Sequence, residues 1–202
     1  GNVDRLELED GYILADGRQA ISLEELAMES YYSLGNSSVL TAEVSRQVKK
    51  NTVATGCCFA EVEVDMKLGK IKVLDIVNVH DSGILLNPQL AAMQVHGGMS
   101  MGMGCGLSEQ LLLDEKTGRP LNGTLLDYKL MTTMDTPDLT AEFVELNDPM
   151  GPYGNKALGE PPAIPGAPAI RNAVLHATGI GFAEIPLTPQ RLIDGFTKAG
   201  LI

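Results

Sequence analysis

The feature that most restricts the fold is a stretch of alternating side chains, "CCFAEVEVDMKLGKIKVLDIVNVHD", at residues 57–81. From Cys58 to Val64, small or apolar residues occupy every second position, and phenylalanine or acidic residues stand between them. This period of two is typical of a strand with one buried face. Gly69 predicts a turn into a second strand, rich in isoleucine, valine and leucine. We therefore expect a sheet built around residues 58–80.

Helices are predicted from their start and stop signals. Ser22 is a cap for the first helix, Glu25 three residues later completes a capping box, and Gly35 stands where this helix would end. The other signals are Asn87 followed by Pro88, Gly179 after a helix at about 167–177, and Thr188 followed by Pro189.

Three further segments predict strands. A short hairpin is expected near the N-terminus, with turns at Gly11 and Gly17. The segments "LLLDEKTGRPL" (111–121) and "TAEFVEL" (140–146) also predict strands. Strands and helices mix along the chain without a regular β-α-β alternation, so the predicted fold class is α+β with a mixed sheet.

Composition excludes several classes of protein. The 202 residues carry a formal net charge of −11 and a pI near 4.6, which disfavours nucleic acid as a partner. The N-terminal residues lack the regions of a signal peptide, and residues 84–113 contain too many polar residues and glycines for a membrane span. Cys57, Cys58 and Cys105 fit reduced thiols and are too few for an iron–sulfur cluster. We expect a cytoplasmic protein.

The segment "GNKALGEPP" (154–162) holds one carboxylate, Glu160, in a restricted loop. Gly159 allows a tight backbone approach, and two prolines stiffen the residues that follow. One interpretation is a surface carboxylate that caps a helix or pairs with Lys156. The other is a general base, which must be kept within hydrogen-bond reach of its proton.

The helix predicted after Pro88 is unusually rich in glycine. Gly98, Gly102 and Gly106 recur every four residues and therefore share one face. Each glycine costs about 1 kcal/mol in a helix relative to alanine, so something must approach this backbone closely. The partner is either another protein segment or a large planar ligand. Gln94, one turn earlier, would project beside the face with both an acceptor and donors.

Other chemical motifs are weaker. "GMSMG" matches the G-x-S-x-G pattern of hydrolases, but Ser100 lies in a predicted helix rather than on a strand-to-helix turn. His80, His96 and His176 lack the spacing of metal ligands, so no side-chain metal site is predicted.

Together, several stretches resemble the C-terminal part of the molybdenum-binding subunit of the xanthine dehydrogenase/aldehyde oxidoreductase family. The resemblance extends from about Gly11 to the end, and K-x-x-G-E-P-P after Q-x-x-G-G is its most specific combination. The stretches are, in order, "AEVEVDMKLGKIKVLDIVNVHDSGILLNP", "QVHGG", "GMGCGLSE", "GRPLNGTLLDYKL" and "KALGEPP".

This resemblance implies a mixed-sheet lobe of a molybdenum cofactor-binding domain and a role for each motif residue. Glu160 would be the general base of a hydroxylation in which the oxygen comes from water, with a purine, another N-heteroaromatic compound or an aldehyde as substrate. Gln94 would hydrogen-bond the molybdopterin cofactor, with its cytosine dinucleotide form as one option, so Glu160 is expected close to the Gly98 face. Electrons would pass to iron–sulfur clusters and FAD on partner domains or subunits. The implied cofactor-binding residues are Gln94, Gly97, Gly98, Lys156 and Gly159, the last two shaping the loop.

The sequence also departs from the family. Several hundred residues that precede this region in a complete subunit, including those that select substrate, are not present, and Met131 replaces a frequent proline. We therefore expect residues 1–202 to be a fragment or one piece of a split subunit that is inactive alone and exposes its glycine face and Glu160 loop. The alternative is a non-catalytic assembly or scaffold module that retains the fold.

Overall fold

The computed structural model describes residues 3–32, 39–45 and 50–202. The chain divides into two compact units, residues 1–47 and 48–202, which we describe separately. The predicted helix end at Gly35 lies outside the described residues.

The first unit begins with a 3₁₀ turn, Val3–Arg5, and three antiparallel strands, β1 (Leu6–Glu9), β2 (Tyr12–Ala15) and β3 (Arg18–Ser22). Both connections are Asp-Gly turns in which each residue has a positive φ, between 47° and 80°. This is the conformation that two-residue hairpins favour, so the turns predicted at Gly11 and Gly17 are confirmed. Helix α1 (Leu23–Tyr32) follows directly.

The predicted capping box of α1 is confirmed. The Glu25 backbone N–H donates to Ser22 Oγ at 3.1 Å, and the Ser22 N–H donates to the Glu25 carboxylate at 3.1 Å. Two N–H groups at the start of the helix are thereby satisfied.

The second unit is built on a mixed sheet. Strands β4 (Thr55–Asp65) and β5 (Lys70–Asp81) form the predicted hairpin around Gly69, whose φ is 61°. Strand β6 (Leu139–Phe143) pairs parallel to β5, which gives the order β4-β5-β6. Alternate residues of β4 are more buried, as the sequence predicts. The predicted α+β fold class is confirmed.

Three helices complete this unit, and each confirms its predicted signals. They are α2 (Pro88–Leu107), α3 (Gly166–Thr178) and α4 (Pro189–Lys198). Asn87 Oδ1 accepts from the Leu90 N–H at 3.0 Å, and the Thr188 side chain accepts from Arg191. Gly179 ends α3 in the left-handed conformation, with a φ of 77°. No helix in the described part of the chain is long and apolar enough to cross a membrane.

Two apolar clusters hold the sheet and helices together. The first joins β5, α2 and α3, and the second joins the end of α3 to α4 and the segment between them. Phe182 and Phe196 meet edge to face in the second cluster, with their ring centroids 5.7 Å apart. The buried members of the first are Val73, Ile76, Val95, Met99, Met103 and Ile170; those of the second are Val174, Phe182, Leu187, Leu192 and Phe196.

The prediction of a strand at 111–121 is wrong. This segment is a loop that folds back on itself through a single bridge between Leu113 and Pro120. The Asp114 carboxylate accepts from the N–H groups of Lys116 and Thr117, which fixes a turn where a strand would continue. The strand predicted at 140–146 is confirmed in position as β6 but ends at Phe143.

Candidate functional site

The glycine face of α2 is covered by protein. An added Cβ at Gly98 would lie 2.5 Å from Pro162 Cβ, and one at Gly102 would lie 2.8 Å from the Ala163 carbonyl oxygen. One at Gly106 would lie 3.2 Å from Ala167 Cα. Of the two alternatives, close packing of a protein segment therefore explains the spacing. The expectation of a face left bare for a planar ligand is wrong, although the contribution of Gly98 to cofactor binding stays a prediction.

This packing brings the Glu160 loop, residues 154–163, onto α2. Gln94 Nε2 donates to the Gly159 carbonyl oxygen at 3.1 Å, and Pro162 is buried against Gly98. Gln94 thus binds the residue directly before the candidate base, although the two hydrogen-bonded residues are 65 positions apart in the sequence.

The side chain of Glu160 is exposed. Within the described residues it makes no ion pair and no side-chain hydrogen bond, while its carbonyl oxygen accepts from the Ala163 N–H at 3.0 Å. The interpretation that Glu160 pairs with Lys156 is wrong, because Lys156 pairs with Asp81 instead. The loop therefore fixes the backbone of Glu160 and leaves its carboxylate available.

Lys156 fixes the beginning of the loop. Its Nζ lies 2.5 Å from Asp81 Oδ2, and the two side chains are only 9% and 11% exposed. The hydrogen bond from Lys156 holds the pKa of Asp81 below its usual value, against the opposing effect of burial. The Lys156 N–H also donates to the Ser82 carbonyl oxygen at 2.7 Å. This ammonium is thus part of the loop's attachment to the end of β5.

Two residues of this attachment were missed by sequence reasoning. Asp81 is one, and Asn78 is the other: Asn78 Nδ2 donates to the Pro162 carbonyl oxygen at 3.0 Å in a fully buried position. A signal was available, because Asn78 and His80 occupy the positions of β5 that the alternation assigns to the buried face. Polar side chains there require specific partners.

An open cleft of about 240 Å³ lies between the start of α2 and residues 155–158 of the loop. Gln94 and Lys156 line it, together with Ser82, whose buried Oγ has no partner among the described residues. Gly97 is exposed, and an added Cβ there would meet nothing within 4 Å. Most of the lining is apolar, with a few polar groups such as Gln94 and Lys156, and this composition beside an open helix backbone fits a flat heterocycle such as a pterin.

Other candidate groups do not join this arrangement. Ser100 lies inside α2, so the hydrolase pattern is a chance match. The three cysteines are free, and burial is the main reason that the pKa of Cys58 is raised to about 11. The described residues contain no cluster of three or more histidine, cysteine, aspartate or glutamate side chains that could hold a metal. A larger cavity, of about 700 Å³, lies between β5 and residues 129–137 and contains none of the predicted site residues.

Comparison with known proteins identifies the family of this chain. The family model of the molybdopterin cofactor-binding domain matches residues 2–137. The chain is 50% identical over 182 residues to the putative xanthine dehydrogenase molybdenum-binding subunit XdhA of Escherichia coli K12, covering 90% of this chain and 24% of XdhA. It is 32% identical over 192 residues to the aldehyde oxidoreductase molybdenum-binding subunit PaoC of Escherichia coli O157:H7, covering 95% and 26%.

A solved structure shares the fold. Reconstituted CO dehydrogenase from Oligotropha carboxidovorans superimposes with a TM-score of 0.78 at 26% sequence identity, covering 99% of this chain and 26% of that chain. The chain thus spans about a quarter of the length of the relatives it matches. The resemblance to the molybdenum-binding subunits of the xanthine dehydrogenase/aldehyde oxidoreductase family is confirmed, and the chain belongs to the molybdopterin cofactor-binding domain family.

Proposed function

We propose that residues 1–202 form part of the cofactor site of a molybdenum hydroxylase, with Glu160 as its general base. The observation that carries this proposal is the Gln94–Gly159 hydrogen bond, which fixes the backbone directly before Glu160, whose carboxylate is exposed and unpaired within the described residues. A base needs this combination of a fixed backbone and a free carboxylate.

Each residue of the site has a distinct role in the proposal. Gln94 and Gly97 would contact the pterin, because both are exposed on the same part of α2. Lys156 and Gly159 would hold the loop, and the Glu160 carboxylate would take the proton that the attacking oxygen loses. When bound, the molybdenum cofactor supplies the redox chemistry by taking up the two electrons that the substrate loses.

The proposed function also includes a class of substrate and a set of partner subunits. A purine, another N-heteroaromatic compound or an aldehyde would be hydroxylated with oxygen from water, and the electrons would continue to iron–sulfur clusters and FAD on partner subunits. The relatives named for xanthine dehydrogenase and aldehyde oxidoreductase support the purine and aldehyde options. Residues that select among them would come from the remaining part of the subunit, so the isolated chain would be inactive.

The test is Glu160→Gln in the complete enzyme. The substitution keeps the volume and most of the hydrogen-bonding capacity but removes the base, so turnover should fall by at least ~10²-fold. Molybdenum content should stay within the range of the wild type. A variant that turns over at the wild-type rate would show that Glu160 is not the base.

Metal analysis distinguishes the enzyme from a scaffold module. Protein purified from its own host, with whatever subunits accompany it, should contain molybdenum and show iron–sulfur absorbance. A colourless, metal-free assembly would support the scaffold instead.

A further inference from the structure

A row of buried polar side chains begins on the inner face of β5 and continues to the residue just after the strand. Asn78, His80 and Ser82 are 0%, 1% and 3% exposed and follow Ile76 of the apolar core at every second position. Within the described residues, four atoms of this row lack a partner: Asn78 Oδ1, both ring nitrogens of His80 and Ser82 Oγ. Burying such groups is unfavourable, so their presence beside an apolar cluster calls for a function.

One side chain of this row hydrogen-bonds to the Glu160 loop. Asn78 Nδ2 donates to the carbonyl oxygen of Pro162 at 3.0 Å, two residues beyond Glu160 and 84 positions from Asn78 along the chain. Pro162 is almost completely buried and packs against Gly98 of α2. The contact is therefore enclosed between the sheet and the helix.

The sequence around Glu160 explains why a side chain from the sheet is needed. Pro161 and Pro162 have no N–H, so the backbone of these two residues can accept hydrogen bonds through its carbonyl groups but cannot donate any. The Gly159 carbonyl, before Glu160, accepts from Gln94 of α2, and the Pro162 carbonyl, after it, accepts from Asn78 of β5. Two side-chain amides from different elements thus hold the backbone on the two sides of Glu160.

We propose that Asn78 is a positioning residue for Glu160. Its amide fixes the Pro162 carbonyl and, through it, sets where the Glu160 carboxylate stands for proton transfer, without touching substrate or cofactor. This inference rests on the proposed role of Glu160 as the base. It assigns a function to Asn78, which the family resemblance did not include among the site residues.

The test is Asn78→Leu in the complete enzyme, which keeps the size of the side chain and removes the amide. We expect kcat to fall at least ~10-fold with KM within twofold, since a misplacement of about 1 Å costs up to ~10²-fold. Molybdenum content should be unchanged. Amide hydrogen exchange supplies a second measurement: the Ala163 N–H, which bonds to the Glu160 carbonyl, should exchange faster.

Asn122→Leu is the matched control. Asn122 is also buried, at 8% exposed, and it holds a different loop by donating to the Gln110 carbonyl and accepting from the Leu112 N–H. The Asn122→Leu substitution should lower thermal stability and leave kcat and the Ala163 exchange rate as in the wild type. If Asn78→Leu fails to fold, Asn78→Thr, which suits a strand but cannot reach the carbonyl, replaces it with the same expectation.

The outcomes separate the two proposals. If Glu160→Gln is active, the proposed base is wrong and the positioning role is overturned with it. If Glu160→Gln is inactive but Asn78→Leu has the kcat of Asn122→Leu, only the positioning role is overturned. Unchanged exchange at Ala163 in a slow Asn78→Leu enzyme would also contradict it.

Discussion

Gly97 and Gly98 are neighbours in α2 that face opposite surroundings. An added Cβ at Gly98 would lie 2.5 Å from Pro162 Cβ, whereas one at Gly97 would meet nothing within 4 Å. The first glycine beside Gln94 is therefore free of protein contact, and the second is required by packing. Alanine at each of the two positions therefore tests cofactor binding and folding separately.

Alanine at Gly98 should destabilise the protein by about 1–3 kcal/mol, because the added methyl overpacks a closed contact. Alanine at Gly97 should be neutral or stabilising by up to ~1 kcal/mol, because alanine is the better helix former. Chemical denaturation of both variants measures the difference. Molybdenum content of the complete enzyme should fall for Gly97→Ala if this position faces the pterin, and equal unfolding energies for the two variants would contradict the packing described.

Removing the Asp81–Lys156 pair should loosen the start of the Glu160 loop. Asp81→Asn and Lys156→Met should each cost about 1.5–3 kcal/mol, the range for a hydrogen bond to a charged group. The double variant should cost less than the sum, because each single change leaves the other charge without its partner. Denaturation of the four proteins gives this coupling, and strict additivity would show that the two side chains do not interact in solution.

The same pair should contribute to acid sensitivity. Since the folded protein lowers the pKa of Asp81, its stabilising effect is present above the ordinary value of 3.8 and is lost as the pH falls below it. The Asp81→Asn protein should therefore lose less stability than the wild type between about pH 4 and 2, measured by denaturation at each pH.

His80 should affect the stability of the folded protein over a higher pH range than Asp81 does. Burial lowers its pKa below the ordinary value of 6.5, so protons bind the unfolded chain more readily and stability falls as the pH drops below 6.5. His80→Gln should flatten the dependence between about pH 6.5 and 5. His176→Gln, at an exposed position, is the control for replacing a histidine. A His80→Gln curve parallel to that of the wild type would contradict the prediction.

The isolated chain should self-associate, through a surface other than the one expected from the sequence. The glycine face is covered, but Leu125, Leu126 and Met134 are 74%, 82% and 91% exposed. Leu126→Lys should shift sedimentation towards the monomer, because large apolar side chains exposed at a surface promote association. Leu68→Lys, at the hairpin tip, should not. Adding the part of the subunit that the relatives have beyond the matched region should increase solubility and molybdenum loading together. An isolated chain that is already monomeric would contradict the predicted self-association.

Local patterns predicted the local structure. The β4–β5 hairpin and the caps at Asn87 and Thr188 depend on neighbours in the sequence, and each forms as expected. The loop at 111–121 differs because Asn122, just outside the segment, donates to the Gln110 carbonyl and accepts from the Leu112 N–H, which holds the start of the segment in a loop. A strand was predicted there from the side chains of the segment alone.

The site was predictable only in part, because its contacts are long-range. The recurrence of glycine every four residues showed that something approaches Gly98 closely. A packed protein segment and a bound ligand would require the same recurrence, so the sequence did not distinguish them. Asn78 binds Pro162, 84 positions away, and Asp81 binds Lys156, 75 positions away. The sequence near each residue does not indicate such distant partners. The resemblance supplied Gln94 and Glu160, and the geometry supplied the hydrogen bond that connects their segments.

The two amides that flank Glu160 have a consequence for redesign. Both bind main-chain carbonyl oxygens, and every amino acid carries that group. The loop is therefore held without help from the side chain at position 160. A different acid, a neutral amide or a thiol can be installed there on an unchanged backbone, which makes this position suitable for exchanging one chemistry for another.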